Sequence, residues 1–513
     1  MTRSRWYRDP FLWVALLVGA AFLYIRLGQQ TLWQDEAETA ILARNLLRFG
    51  YPKAFDGLNL VWDPQGYGPN FAWIYHPWGT FYLTALSFKL CGISTLAARA
   101  PCALLGWLTI LLTYRLARAV SPRVAVARWA AASVLACVPF LLFMRQCRYY
   151  APSAAFGLWW LLAYHRWISG TRWSLGSPHN ACIARGPLPL VVVSGVVLFH
   201  MNHGTAMPFF AAAALHWWLF HRRHTPWREA CTVAGGIGVL TLPWFWYLHG
   251  WRHAATQWSW VHLRQHAEFY VRMTNKYVVP LAWWGIALGW RRWRTGRWLW
   301  HVQERPDRIL LRLLYLVLGV TMVFVLLPEQ RHVRYLVPLM PLWLILQALL
   351  LDDWVRHRRW QGCALAAVIL GTTILSGAAW RVPLLDFGDE LAHDYHGPNE
   401  AIVTYLHEHA HAGERVKTPY DERVLMFYTP LTVERPDVFL HPSTPEWIVP
   451  RQGWLDTGFW ESPYGRQIRR EYDAVTLAAV DLVWDNRPDP NEHHVRTVTN
   501  GPRVVIYRRR ETP

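Results

Sequence analysis

The run Phe11-Leu12-Trp13-Val14-Ala15-Leu16-Leu17-Val18-Gly19-Ala20-Ala21-Phe22-Leu23-Tyr24-Ile25-Arg26-Leu27, followed within a few residues by Trp33-Gln34-Asp35-Glu36-Ala37-Glu38, decides how the rest of the chain is read. Apolar sequence of roughly that length crosses a hydrocarbon core of about 30 Å as a helix. Three carboxylates just beyond it place acid/base groups at the water–lipid boundary, where charge is costly enough to mark a candidate functional site. No small-residue cleavage site follows the run, so it reads as a retained helix and not as a removed leader.

Composition extends that reading to most of the chain. Of 513 residues, 53% are hydrophobic and only 17% are charged, well under the roughly 25% of a soluble domain. The apolar residues are clumped into runs at 11–27, 97–117, 124–143, 149–168, 187–201, 204–220, 230–248, 277–290, 309–327, 335–351 and 361–380, with a further run at 77–93. A polytopic helical membrane protein is expected.

The net charge of +18 does not call for nucleic acid, because its distribution already explains it. Arginines crowd alternate loops: Arg115, Arg118, Arg123 and Arg128; Arg166, Arg172 and Arg185; Arg222, Arg223 and Arg228; Arg291, Arg292, Arg294, Arg297, Arg305 and Arg308; Arg356, Arg358 and Arg359. With Arg3, Arg5 and Arg8 at the N-terminus, this is the positive-inside pattern. An even number of crossings must then separate the N-terminus from Arg118. Helices 11–27 and 97–117 supply two, so 77–93 is expected to be re-entrant or to lie along the outer face. That leaves eleven crossings; a thirteen-span arrangement with a split helix is the alternative. Either odd count puts 381–513 outside.

From Arg381 the long apolar runs stop. A helix-like stretch from Asn399 to Ala412 precedes short apolar runs, Ala479 to Trp484 and Arg503 to Tyr507, which read as strands. The expectation is a transmembrane domain over 1–380 and a small extracytoplasmic α/β domain over 381–513. All seven cysteines, Cys182 among them, fall in or beside the membrane part with no metal-type spacing.

Those side assignments collect the outer residues. The first loop, 28–76, carries the acidic motif, Arg44, Arg48, Lys53, Asp56 and Asp63. Over 37–49, Leu42, Ala43, Leu46 and Leu47 share one helical face and Glu38, Arg44, Asn45 and Arg48 the other, which suits a helix lying in the interface. Later outer turns hold Arg145-Gln146-Cys147-Arg148-Tyr149-Tyr150, then His200 and His203, then Arg252, His262, Arg264, Arg272 and Lys276, then Arg331-His332-Val333-Arg334-Tyr335. Arginines kept outside against the prevailing bias suit an anionic head group, because the planar fork donates in bidentate fashion to phosphate. Snorkelling arginines and interfacial tyrosines are the plainer alternative.

The order Trp33-Gln34-Asp35-Glu36-Ala37-Glu38, then Ala43-Arg44-Asn45-Leu46-Leu47-Arg48-Phe49-Gly50-Tyr51-Pro52, resembles the first outer loop of GT-C glycosyltransferases. The similarity is to the branch of protein mannosyltransferases and the lipid A aminoarabinose transferase. It continues through His76-Pro77, Arg99-Ala100-Pro101, Arg148-Tyr149-Tyr150, Leu242-Pro243-Trp244 and Arg334-Tyr335-Leu336-Val337-Pro338. It covers roughly 11–380. Where the family often has His-Pro-Pro-Leu, this chain has His76-Pro77-Trp78-Gly79, which leaves the acceptor side open.

The resemblance implies an inverting transfer of a sugar from a polyprenyl-phosphate carrier to an acceptor hydroxyl of a protein, lipid or glycan. The setting would be the outer, periplasmic face of a bacterial inner membrane. Membrane lipids are the other implied partner, nucleic acid is not one, no cofactor is implied, and divalent-metal dependence stays open. An attacking hydroxyl needs a general base, and a departing lipid phosphate needs cations. Asp35 matches the family's first-loop acid and is the expected base, with Glu36 orienting or binding the acceptor. Arg334 and Tyr335, then Arg148 and Tyr149, then Lys53 are the expected phosphate ligands. Glu38, His76 and His203 are acceptor-side or secondary. A transporter or lipid flippase is the rival function, but its carboxylates belong near the midplane beside broken helices. A membrane scaffold with a binding tail is a third. His407 and His411 would share a helix face, yet no third ligand for a metal is evident.

Overall fold

The computed structural model describes residues 6–170, 188–250, 259–296, 308–377, 381–456 and 458–510. Arg3, Arg5, Arg172, Arg185, Cys182, Arg252, Arg297 and Arg305 lie outside the described residues. The chain divides into two compact units: Met1–Tyr24, Cys102–Arg145 and Tyr149–Leu385 form one, and Ile25–Pro101, Gln146–Arg148 and Asp386–Pro513 form the other.

In the first, helical unit, most of the described residues of the apolar runs read from the sequence are helical. Among the described residues, three helices are long and apolar enough to cross a membrane by length and composition: Thr95–Val120 (which begins in the second unit), Trp227–Tyr247 and the continuous Val333–His357. Shorter apolar helices include Pro10–Tyr24 and Leu188–Met201. The run at 124–143 is not one rod. It breaks at Cys137 into Val124–Ala136 and Val138–Met144, bent by 70°, because Pro139 has no N–H to donate and its ring crowds the preceding turn.

The buried carboxylates Asp9, Asp352 and Asp353 of this unit sit at arginine-rich helix ends. Asp9 accepts from Arg128 at 2.9 Å and from the Tyr114 hydroxyl at 2.6 Å. Asp352 pairs with Arg123 at 2.6 Å, and Asp353 gathers Arg291 at 2.8 Å and Arg356 at 3.1 Å. Buried acids persist only when paired in this way.

The second, loop–tail unit is mixed. Its sheet comprises β1 (Arg415–Lys417), β2 (Thr432–Val433), β3 (Trp447–Ile448), β4 (Tyr472–Val480) and β5 (Arg503–Arg509), in the order β2-β1-β3-β5-β4. β1 runs parallel to β2 and β3, and β5 runs antiparallel to β3 and β4. Helix Pro398–His409 packs on β4. One apolar core joins Leu42, Val61 and Trp73 of the first loop and Phe81 of the following helix to Leu406, Val416, Trp447 and Ile506 of the tail. Asn59 extends the sheet edge, its amide donating to the Leu431 carbonyl at 2.9 Å and accepting from Val433 N at 2.7 Å.

Several local expectations shift. The first-loop helix runs Gln34–Phe49 and closes on Gly50, whose φ of 82° is the left-handed conformation glycine adopts without strain. It does not present one polar face to water, since Glu38 and Asn45 are buried as well as Leu42, Ala43 and Leu46. Only Leu47 of the expected apolar face is exposed. Helix Pro398–His409 ends before His411, so His407 and His411 do not share it; His409 instead stacks on Tyr405 at 4.1 Å. The strand expected over 479–484 begins earlier and ends at Val480. Run 77–93 forms helix Gly79–Cys91, with Phe81, Thr84, Ala85 and Phe88 buried and Tyr82, Leu86 and Leu90 exposed.

Candidate active site

Trp33 starts the first-loop helix, with Asp35 and Glu36 in its opening turn, where acidic side chains complement the positive end of the helix dipole. Glu36 is the third helical residue, and its carboxylate reaches back to the Trp33 N–H at 3.4 Å, one arm of a capping box. The same carboxylate accepts from Arg99 twice, Nε at 2.9 Å and Nη2 at 2.6 Å, and from the Cys147 N–H at 2.6 Å. Arg99 spends its remaining donors on the carbonyls of Leu27, Gln30 and Thr31. Glu36 is a structural clasp between three chain segments. The acceptor contact expected of it conflicts with that geometry, because the side chain is fully buried and its oxygens are taken.

Glu38 lies one turn further along. It accepts from Arg148 Nη1 at 2.8 Å and from Arg423 Nη1, with His76 Nε2 at 3.8 Å. Arg148 also donates to the Asp35 carbonyl at 2.9 Å, to Thr39 Oγ1 at 3.0 Å and to His76 Nε2 at 3.1 Å. That last bond requires Nε2 to accept, so the His76 ring proton belongs on Nδ1. Arg423 reaches the Trp62 carbonyl at 3.1 Å with its other arm. Burial pulls the Arg423 guanidinium down, but the charges of Glu38, Glu422 and Asp35 more than offset it and hold it above its usual range. Arg148 is a buried brace for Glu38, which conflicts with the expectation of a phosphate ligand.

Asp35 differs from its neighbours. Its side chain is 22% exposed, against 0% for Glu36 and 5% for Glu38. Arg148 Nη2 stands 3.8 Å from Asp35 Oδ2, beyond hydrogen-bond length. Asp35 is thus the most exposed of the three carboxylates, and its Arg148 contact is longer than the 2.8 Å one that Glu38 makes.

The remaining expected residues fall in two places. Lys53 belongs to the loop–tail unit, its Nζ 4.5 Å from the centre of the Phe49 ring. Asn45 holds the adjoining backbone through the Lys53 carbonyl at 2.7 Å. Arg334, Tyr335, Tyr149 and His203 belong to the helical unit. Arg334 and Tyr335 sit in the 3₁₀ turn Val333–Leu339, which packs against helix Tyr150–Ser169, and Tyr149 caps that helix. The Arg334 guanidinium lies 5.8 Å from the Tyr335 ring, and His332 meets that ring edge-on at 5.7 Å. His203 opens helix His203–Phe220 behind the Asn202 cap.

Sequence reasoning missed Arg99 and Arg423. Arg99 lay inside the quoted motif Arg99-Ala100-Pro101 without a role. Arg423 had only a weak local signal, a basic residue following Asp421-Glu422 at the start of helix Glu422–Tyr428. No group of three or more potential metal ligands occurs among the described residues.

No protein-family model matches the chain. An uncharacterized protein from Aquifex aeolicus (strain VF5) is 26% identical over 234 residues, which is 41% of this chain and 43% of that protein. The match therefore spans less than half the length of that curated relative. Among solved structures, ArnT from Cupriavidus metallidurans bound to undecaprenyl phosphate superposes with a TM-score of 0.59 at 14% identity, covering 97% of both chains. The same protein in the apo state gives a TM-score of 0.57 with the same coverage. The chain is a polytopic helical protein with a C-terminal α/β part and has the GT-C-type fold of that protein.

Proposed function

We propose that the protein is a glycosyltransferase that moves a sugar from a polyprenyl-phosphate carrier to an acceptor hydroxyl, with Asp35 as general base. The observation that carries this reading is the division of labour among three adjacent carboxylates. Glu36 and Glu38 are buried in close arginine pairs, while Asp35 is the most exposed of the three, 22% against 0% and 5%, on the scaffold they hold. A base has to be held within about half an ångström of its working position by neighbours that do not themselves move. Asp35 takes the acceptor's proton as its oxygen attacks C1, and the carrier leaves as the lipid phosphate. The fold shared with a protein crystallised with undecaprenyl phosphate supports the choice of donor. Arg334 and Tyr335 are the proposed phosphate ligands, since Arg148 is committed to Glu38.

Acting at the outer face follows from the arginine distribution. Helix Gly79–Cys91 would lie along that face, offering Tyr82, Leu86 and Leu90 to lipid. Alkaline phosphatase fused after Arg381 should be active in cells, and fused within 291–308 inactive; the reverse pattern would overturn the orientation.

Purified protein given a labelled polyprenyl-phosphate sugar should break the sugar–phosphate bond and label an acceptor. A flippase would move the lipid intact. Arg334→Ala should raise the donor KM more than Arg334→Lys does, because lysine keeps the charge and loses the fork. Unchanged donor dependence in both would assign the phosphate to other residues.

A further inference from the structure

Tyr420, Trp454 and Trp484 come from three separate loops of the tail and meet as one aromatic cluster. Tyr420 stacks on Trp454 at 4.3 Å with planes 17° apart, and Trp484 stands edge-on to both, at 5.2 Å and 4.8 Å. Trp454 is 37% exposed, and the other two rings are part-buried. The exposed Trp454 ring opens the cluster to the surface, with Tyr420 and Trp484 behind and beside it.

The backbone under the cluster is built to hold it. Arg451, almost fully buried, ties the three loops together. It binds Asp421, next to Tyr420; it donates to Asp481 at 2.8 Å and to the Leu482 carbonyl at 2.5 Å, next to Trp484; and it is itself three residues from Trp454. Asp421, Arg451, Trp484 and Asn486 all have positive φ, at 64°, 45°, 63° and 59°. Left-handed backbone at non-glycine residues is costly and persists where surrounding contacts over-determine it, which is typical of ligand sites. Gly453 allows the closest approach: a Cβ there would fall 2.2 Å from Val483 Cγ2.

The cluster adjoins the acidic motif. Arg487 lies 4.7 Å over Trp484 and 5.9 Å over Trp33, two residues before Asp35. The Tyr420 hydroxyl is pushed well above its usual range, first by burial and then by the carboxylates of Asp421 and Asp35.

We propose that Tyr420, Trp454 and Trp484 form the platform on which the sugar ring of a carbohydrate acceptor stacks, presenting its hydroxyl to Asp35. Resting on the transferase reading above, this makes the acceptor a glycan or glycolipid and not a protein. The C–H face of a pyranose packs well on a flat aromatic ring, and a perpendicular ring beside it fixes the sugar's edge. A general base touches the acceptor, so the platform beside Asp35 belongs to the acceptor.

The test uses full-length protein in detergent and saturation-transfer NMR with chitobiose, mannobiose and a Ser/Thr-rich peptide. The expected result is transfer to sugar C–H protons of at least one disaccharide. Trp454→Ala should weaken that binding by about tenfold or more, with Trp454→Phe keeping most of it. The companion measurement is acceptor KM in the transfer assay, which should rise in Trp454→Ala while donor KM holds. No disaccharide binding to the wild type, or binding equal in Trp454→Ala, overturns the platform; so does peptide binding that depends on Trp454. If sugar transfer occurs with acceptor KM unchanged in Trp454→Ala, the platform fails and the transferase stands. If disaccharide binding depends on Trp454 and no transfer occurs from any polyprenyl-phosphate sugar, the platform stands and the transferase fails.

Discussion

Two buried charge clusters stabilise the loop–tail unit, and they differ in stoichiometry. Around the acidic motif, Glu36 and Glu38 meet Arg99, Arg148 and Arg423, so every buried carboxylate has at least one guanidinium in contact. Around Arg451, one guanidinium serves Asp421 and Asp481, with Asp485 and Glu400 nearby. Asp485 has the Tyr395 hydroxyl at 2.7 Å and Glu400 has Asn486 Nδ2 at 2.8 Å, neutral partners that leave the negative charge uncompensated. Burial accordingly raises Asp421 to about 6 and Asp485 to about 7. The balanced cluster is a clasp of matched charges. The acid-rich one holds protons near neutrality.

The largest effect expected from this contrast is at Glu36. Glu36→Gln leaves Arg99 buried beside a neutral amide, and breaking a buried pair from one side costs about 3–5 kcal/mol. Thermal unfolding and limited proteolysis should show the loop–tail unit failing first. A variant as stable as the wild type would mean that Arg99 finds other partners and the clasp is not structural.

A smaller effect is expected at Asp485, in the opposite sense with pH. Its folded value, about 7, lies above the ordinary 3.8, so the folded state binds more protons between those values. Stability contributed by this group is present at low pH and lost as pH rises from about 4 through about 7. Asp421 adds to the same slope over about 4 to 6. Asp485→Asn should flatten the fall of unfolding temperature over that window. An unchanged slope would place the pH dependence on other groups.

Much of the helical unit was readable because burial in lipid demands long apolar runs, and those survive in one dimension. The break at Cys137 was not read: 124–143 reads as one span, and the 70° bend at Pro139 divides it. Asp35 stood out because it follows a span so closely. What could not be read is how the acids are divided. Glu36, Glu38 and Asp35 are alike in sequence, and their fates are decided by Arg99, 63 residues away, Arg148, 110 away, and Arg423, 385 away. No periodicity records such pairings. The same holds for Tyr420, Trp454 and Trp484, which are unremarkable singly and meet only because Arg451 draws their loops together. The interfacial reading of helix Gln34–Phe49 failed for the same reason: the tail covers the face that looked solvated.

The claim on which the rest depends is that Asp35 alone of the three acids is chemical. Its direct test is turnover per folded molecule of Asp35→Asn, with folding checked by thermal unfolding and donor binding measured separately. The amide keeps the shape and cannot take a proton, so turnover should fall by about 10²–10⁴-fold while stability and donor binding stay near wild type. Near-normal turnover in a folded, donor-binding Asp35→Asn protein would contradict the assignment and remove the general base from the proposed mechanism.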